Sequence, residues 1–91
     1  MRHSRNSRNY AVLRAWLTSQ RLEAGLTIRA LAEKLEVPHS IIGKIEDGSR
    51  KMELFEFIEY CHAVGVDPCD GLDELLKISN YGMEHSKQPI A

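Results

Sequence analysis

Residues 26–51 contain two short apolar patterns separated by a proline. In the first pattern, apolar residues recur at steps of three and four, which places them on one face of a helix behind Thr27 as the N-cap. These residues are Ile28, Leu31, Ala32 and Leu35. Pro38 interrupts the pattern, because the residue before a proline is pushed out of the α region while proline suits the first turn of a helix. The sequence therefore predicts two short helices joined by a tight turn.

The second of these helices carries a buried stripe at Ile42 and Ile45 and ends at Gly48, since glycine favours the left-handed conformation that follows many helices. The residues that fall outside this stripe are His39, Ser40, Gly43, Lys44 and Asp47. Two short helices that meet at a tight turn have the outline of a helix-turn-helix.

Three further helices are predicted around this pair. The first covers about residues 10–24, the fourth about residues 53–64, and the fifth follows Asp67, which suits an N-cap before a proline. On the fourth helix, Phe55 and Tyr60 are predicted near the flanks of the buried face. Apolar and polar residues never alternate for long enough to predict a strand. We therefore expect an all-α fold of five short helices.

The composition is that of one small globular domain, with 43% hydrophobic and 27% charged residues. We expect the helix-turn-helix domain at residues 10–79, between a basic flexible arm at residues 1–9 and a C-terminal tail at residues 80–91. Cys61 and Cys69 form neither a C-x-x-C unit nor a secreted disulfide framework, so a reduced, cytoplasmic location is expected. No apolar run approaches the ~20 residues that span a bilayer.

Charge is distributed unevenly behind a formal net charge of −1. Residues 1–21 carry five arginines and no acid, whereas residues 52–91 carry eight acids and two lysines. The basic end suits a polyanion and the acidic end would face away from it. Candidates for contact with nucleic acid in the arm, against the alternative of a solvated segment, are Arg2, Arg5 and Arg8.

The residue pattern does not favour catalysis or metal binding. The four histidines have no paired carboxylate or nucleophile, and no glycine-rich phosphate loop follows a strand. Cys61 falls on a buried helical stripe and His62 points away from it, so their spacing does not predict a metal site. We expect no enzymatic activity, no cofactor and no small-molecule ligand.

Residues at the corners and ends of the central helices resemble those of a known family; they are Arg21, Gly25, Leu26, Thr27, Leu31, Ala32, Val37, Ile42, Ile45, Glu46, Asp47 and Gly48. Together they are similar to the Cro and phage-repressor helix-turn-helix family, also called the xenobiotic-response-element (XRE) family. The resemblance covers roughly residues 13–76. It implies a lambda-repressor-like domain with helix 2 on the DNA backbone and helix 3 in the major groove. It also implies a sequence-specific transcriptional repressor that binds DNA as a homodimer.

Carried over by position, the resemblance assigns base contacts to the exposed residues of helix 3. Lys44 can donate to guanine, Ser40 can bond to purines, and His39 can donate or accept according to its tautomer. Ile41 is a candidate for contact with a thymine methyl, against the alternative of an ordinary core residue. Gly43 would allow close approach of the backbone. For His39 the alternative is a solvated surface residue.

The resemblance also implies an ion pair and several phosphate contacts. Arg21 and Glu46 match a partly buried pair that ties helix 1 to the end of helix 3. Arg50 and Lys51 lie in the loop where the family contacts the DNA backbone, with solvated loop charge as the alternative, and Thr27 lies at the N-terminus of helix 2. The dimer interface would use residues of helix 5, namely Leu72, Leu75, Leu76 and Ile78.

Three positions depart from the family pattern. Ile28 stands where a phosphate-binding glutamine is frequent, and Asp47 stands where a neutral residue is frequent. Glu36 replaces the glycine that is usual in the turn, which predicts a left-handed backbone or an altered turn there.

A different function also stays open, a protein-interaction module such as an antitoxin or a partner that masks another regulator. An exposed apolar patch larger than a few hundred Å² usually marks an interaction surface. The sequence favours this alternative if one exposed patch unites Ile28, Ile41, Phe55 and Tyr60.

Overall fold

A computed structural model describes the backbone of residues 4–78 and the side chains of residues 8–78. This part of the chain folds into five helices, which are α1 (Ser4–Glu23), α2 (Ile28–Leu35), α3 (His39–Asp47), α4 (Leu54–Val64) and α5 (Pro68–Ile78). The predicted all-α fold of five helices is thereby confirmed, with α2 and α3 as the helix-turn-helix. The predicted tail at residues 80–91 and the first three residues of the predicted arm lie outside the described residues.

The first helix begins at Ser4 and not near the predicted residue 10. Residues 4–9 contain no apolar side chain, so the periodicity that marks a packed helix face is absent from them. Arginine nevertheless propagates a helix nearly as well as alanine does, and serine is favoured at a helix N-terminus. The predicted helix start is corrected accordingly, and residues 4–9 are the first turns of α1.

The hydrophobic core lies where α1, α2, α3 and α4 meet. Each of these helices contributes at least two buried apolar side chains, and together they are Leu13, Leu17, Leu31, Ala32, Ile42, Ile45, Phe57, Tyr60, Cys61 and Val64. Burial of each larger side chain contributes about 1.5–3 kcal/mol. Since α2 has 8 residues and α3 has 9, neither would be stable alone in water. Their position is therefore set by the core.

The fifth helix packs across α1 through a glycine. Gly71 is buried, and a Cβ atom at this position would lie 2.8 Å from Trp16 Cζ3 and 3.0 Å from Phe57 Cζ. The helix begins as predicted, because the carboxylate of Asp67 accepts a hydrogen bond from the backbone N–H of Cys69 at 2.9 Å. Glycine at position 71 thus lets α5 approach the indole of α1 closely.

The turn between α2 and α3 is closed by a left-handed residue. Glu36 has φ 59° and ψ 43°, the conformation that the missing glycine would adopt with less strain. The N–H of Val37 donates to the carbonyl of Ala32 at 3.0 Å and completes the end of α2. Pro38 follows as the N-cap residue of α3. The left-handed backbone predicted at Glu36 is confirmed. This conformation costs a residue other than glycine roughly 1–2 kcal/mol.

Candidate nucleic-acid interface

The third helix has a buried face and an exposed face. Ile42 and Ile45 are buried in the core. Three polar side chains predicted to read bases are exposed to solvent, namely His39, Ser40 and Lys44. The first two lie at the N-terminal end of α3 and Lys44 follows about one turn later. The structure therefore places hydrogen-bond donors and acceptors along the outer side of one short helix.

Ile41 and Gly43 lie at the border between these two faces of α3. Both are half-buried, so Ile41 is neither a full core residue nor a free surface residue. A Cβ atom at Gly43 would meet nothing within 4 Å. Packing inside the domain therefore does not require glycine at this position, and the space beside the backbone stays open.

The C-terminal end of α3 is held by an ion pair with α1. Arg21 donates from Nε to Glu46 Oε2 at 2.7 Å and from Nη2 to Glu46 Oε1 at 3.0 Å. Its Nη1 donates to the carbonyl of Leu26 at 2.9 Å. The hydrogen bond to Glu46 raises the pKa of Arg21 above its usual value. This pair joins α1, the corner before α2, and α3 through one guanidinium group.

Tyr60 is the main correction to the predicted core. The sequence places it near a flank of helix 4, but its side chain is only 1% exposed. Its hydroxyl lies 2.5 Å from Glu46 Oε2 and 3.2 Å from the carbonyl of Leu17. Burial, followed by the hydrogen bond to Glu46, raises the pKa of Tyr60 far above its usual value. The spacing of Tyr60 from Phe57 and Val64, at steps of three and four, is the signal that could have predicted its burial.

The loop after α3 contains the predicted phosphate-binding bases. Lys51 is exposed, whereas Arg50 is half-buried and donates from Nη1 to Glu56 Oε1 at 2.8 Å. Glu56 also accepts from the backbone N–H of Glu53 at 2.9 Å, which ties the loop to the start of α4. The hydrogen bond from Arg50 lowers the pKa of Glu56. Arg50 therefore fixes the loop as well as carrying charge.

Asp47 has a local role that the sequence did not predict. Its carboxylate accepts a hydrogen bond from the backbone N–H of Ser49 at 2.8 Å. Hydrogen bonds from Ser49 lower the pKa of Asp47, and the charges of Arg14 and Lys44 add to this effect. The acidic group at the end of α3 thus stabilises the turn that follows it.

Arg14 is a second residue that sequence reasoning missed. Its guanidinium lies against the end of α3, since a Cβ atom at Gly48 would be 2.7 Å from Arg14 Cζ. A cation near a helix C-terminus is favoured by the helix dipole, and here it also offsets part of the charge of Asp47. Gly48 adopts φ 85°, a left-handed conformation that favours glycine. Neither the periodicity nor the family resemblance pairs Arg14 with Gly48.

Thr27 caps the second helix, as the sequence predicts. Its hydroxyl accepts a hydrogen bond from the backbone N–H of Ala30 at 3.0 Å, and its side chain is exposed. The remaining free N–H groups at the start of α2 can therefore serve an anion.

Comparison with known proteins agrees with this geometry. The family described as "Helix-turn-helix domain" matches residues 12–75 of the chain. A solved structure, the XRE-family like protein from Pseudomonas syringae pv. tomato str. DC3000, superposes with a TM-score of 0.78 at 31% sequence identity, covering 81% of this chain and 90% of that one. The chain belongs to the XRE family of helix-turn-helix proteins. No protein with a curated description matches it.

Family membership supports a DNA-binding regulator in general, in a family whose members are as a rule not enzymes. Within residues 4–78 of this XRE-family protein, no group of three or more histidine, cysteine, aspartate or glutamate side chains is arranged to hold a metal ion. Burial raises the pKa of the Cys61 thiol to about 11, so this group stays protonated near neutral pH. None of the described helices is long and apolar enough to cross a membrane.

The remaining predicted residues of this XRE-family protein lie at both ends of the described chain. Arg8 is exposed on α1, while the side chains of Arg2 and Arg5 lie outside the described residues. On α5, Leu75 packs partly against the core. The apolar side chains of this helix that stay exposed are Leu72, Leu76 and Ile78.

Proposed function

We propose that this XRE-family protein is a cytoplasmic transcriptional repressor that binds a specific duplex DNA sequence as a homodimer. The observation that carries the proposal is the outer face of α3, where His39, Ser40 and Lys44 are exposed on a helix whose other face is buried. A helix of this size fits the major groove, where base edges present distinct patterns of donors and acceptors. Ile41 is assigned to a thymine methyl and Gly43 to the closest approach of the backbone.

Phosphate contacts are assigned to the two sides of α3. Lys51 is exposed in the following loop, and the capped start of α2 at Thr27 offers backbone N–H groups. Nη1 of Arg50 donates to Glu56 and to the carbonyl of Lys51, and a guanidinium carries five N–H donors, so donors remain for a phosphate. Arg8, together with Arg2 and Arg5, adds positive charge at the start of the chain.

A homodimer is supported by the exposed apolar side chains of α5. Leu72 and Leu76 are 45% and 46% exposed and lie one turn apart on the same helix. A second copy would bury them, with Ile78 beside them and Leu75 supporting them from the core side. Two subunits would also double the number of phosphate contacts. This compensates for the phosphate contact that is lost at Ile28, where the family often has a glutamine. Repression then follows from occupancy alone, since a bound dimer excludes other proteins from its site.

The test is the salt dependence of binding to a labelled duplex, measured by fluorescence anisotropy. DNA binding through Lys44, Lys51 and Arg50 releases counterions, so the logarithm of the affinity should fall with the logarithm of salt at about −0.9 per neutralised phosphate. An affinity that hardly changes between low and physiological salt would contradict the proposal.

A protein-interaction module is the second candidate, and one observation favours it. Leu54 and Phe55 at the start of α4 are 70% and 76% exposed. The patch that would have favoured this function from the sequence does not form, because Tyr60 is buried and Ile28 packs partly against the core. Binding of a protein through Leu54 and Phe55 would be nearly indifferent to salt, which separates the two functions in the same experiment.

A further inference from the structure

We infer that Tyr60 is a positioning residue for DNA discrimination, and that its hydroxyl, acting through Glu46, fixes the angle at which α3 presents its reading residues. This inference rests on the proposed function, because it concerns how the reading helix is aimed. Tyr60 cannot itself reach DNA, since its side chain is 1% exposed in the core. Tyr60 can therefore affect base reading only by positioning Glu46, the residue to which its hydroxyl donates.

The hydroxyl of Tyr60 has one proton and two neighbouring acceptors. It lies 2.5 Å from Glu46 Oε2 and 3.2 Å from the carbonyl oxygen of Leu17. A hydrogen bond to a carboxylate is shorter and stronger than one to a neutral carbonyl. The proton is therefore donated to Glu46, and the phenol ties the end of α3 to α4.

Two donors from different helices converge on one oxygen of Glu46. Arg21 of α1 donates from Nε to Oε2 at 2.7 Å, and Tyr60 of α4 donates to the same oxygen. Arg21 also binds the second oxygen, Oε1, at 3.0 Å. Ile42 and Ile45 hold α3 in the core, but at its C-terminal end a polar contact to α1 alone would leave the helix room to pivot about that contact. The second tie, from α4, restrains this pivot.

The distance between this anchor and the reading residues makes the angle important. His39 lies about 10 Å along α3 from Glu46, at 1.5 Å per residue. Over that length a tilt of about 10° moves the start of the helix by roughly 2 Å, while recognition groups generally need to be held within about 0.5 Å. A small loosening at Glu46 thus displaces His39 and Ser40 from base edges.

Core packing alone does not explain the hydroxyl. Phenylalanine would fill the same space, and a buried hydroxyl carries a desolvation penalty unless it is hydrogen-bonded. Among the described residues, no buried side-chain polar atom lacks a hydrogen-bond partner, so this hydroxyl is satisfied by its neighbours. The hydroxyl, which phenylalanine lacks, is the group of Tyr60 that contacts the carboxylate of Glu46.

The experiment compares Tyr60→Phe with Cys61→Ala in the full-length chain. Tyr60→Phe keeps the ring and removes the hydrogen bond, whereas Cys61→Ala removes a fully buried atom from the next position and leaves the contacts of Glu46 intact. Affinity is measured on the duplex that the wild-type chain enriches from a random library, and on a scrambled duplex of the same length and composition. The readout is the ratio of the two affinities.

We expect Tyr60→Phe to lower this ratio about tenfold, the effect of roughly one lost base contact. Its affinity for the scrambled duplex and its salt slope should match those of the wild type, because the phosphate contacts are untouched. Cys61→Ala should keep the wild-type ratio. If Tyr60→Phe is partly unfolded at room temperature, the titrations are run at about 10–20 °C, where stability usually peaks, with sucrose to favour the compact state.

An unchanged ratio in Tyr60→Phe would overturn the inference and leave the proposed function standing. An equal fall of the ratio in Cys61→Ala would also overturn the inference, since any loss of core packing would then reduce discrimination between duplexes. If the wild-type chain enriches no sequence from the library, the proposed function itself is contradicted. The first two results contradict only the role of Tyr60, and the third contradicts sequence-specific DNA binding itself.

Discussion

Glu36 shows how a single residue can adopt a conformation that its side chain does not favour. It has φ 59°, while the other positive φ angles among residues 4–78 belong to Gly25, Gly48 and Gly65. The resemblance to the helix-turn-helix family predicted this conformation or else an altered turn, because Glu36 stands where the family usually has glycine.

Replacing Glu36 with glycine should therefore stabilise the domain. We expect Glu36→Gly to raise the free energy of unfolding by about 0.5–1 kcal/mol, since relief of the left-handed strain exceeds the entropy that glycine loses. Glu33→Gly, at an exposed position inside α2, is the matched control and should lower it by about 1 kcal/mol. Urea denaturation measures both changes. Equal destabilisation by the two variants would be incompatible with a left-handed turn.

Lys44 is the residue on which direct reading can be tested most simply. Lys44→Ala should cost about 1–3 kcal/mol on the preferred duplex and relax the choice of base at one position, with little change in melting temperature. Lys77→Ala removes a surface lysine that pairs with Glu74 and lies outside the residues assigned to DNA, and it serves as the control once light scattering shows that this change on α5 leaves the oligomeric state unaltered. Competition binding with single-base variants of the duplex measures the base preference of each chain. If Lys44→Ala discriminates as the wild type does, Lys44 does not read a base.

Among the helices, the central pair was easiest to predict because its ends are marked by Thr27, Pro38 and Gly48. The sequence does not predict the start of α1, because residues 4–9 include no apolar side chain whose spacing would mark a helix face. The contacts of Tyr60 and Arg14 were missed for another reason. They depend on which helices meet in space, and periodicity within one helix predicts only which face is buried.

Two helical glycines should respond in opposite ways to the same added methyl group. Gly71→Ala should lower stability by about 1–3 kcal/mol, because the new Cβ would meet Trp16 and Phe57 between α1 and α5. Gly43→Ala should raise stability by about 1 kcal/mol, since the space beside it is open and alanine favours a helix.

The same Gly43→Ala variant should bind the preferred duplex more weakly, if the backbone of α3 approaches DNA there. Thermal unfolding and anisotropy titrations separate the two effects. A Gly43→Ala chain that is both more stable and equally tight in DNA binding would show that the backbone of α3 does not approach DNA closely at this position.

Over the whole molecule, the formal net charge of −1 conceals an uneven distribution of charge along the chain. The five arginines of residues 1–21 include Arg14 and Arg21, which the structure places against the C-terminal end of α3, beside Gly48 and Glu46 respectively. Two of the bases counted as a DNA-facing surplus are thus used inside the fold. The arginines before residue 10 are the ones left to test.

Neutralising these arginines without shortening α1 tests their part in DNA binding. Glutamine propagates a helix nearly as well as arginine, so Arg2→Gln, Arg5→Gln and Arg8→Gln together should leave the helix content unchanged. We expect affinity to fall similarly for all duplexes and the salt slope to become shallower by about 0.9 for each lost phosphate contact. Circular dichroism provides the control for folding. An identical salt slope in the triple variant would show that this end of the chain does not touch DNA.

Selection of bound duplexes from a random library shows in one experiment whether α3 reads bases and whether two copies of the chain bind together. If α3 reads the major groove in a homodimer, the wild-type chain should enrich a two-fold symmetric motif whose half-sites lie about 10–10.5 base pairs apart. The Ser40→Ala and Lys44→Ala variants should enrich a motif that is relaxed at matching positions of both half-sites. Recovery of unenriched sequence from the wild-type chain, or of a motif that neither variant alters, would show that α3 does not read the DNA sequence.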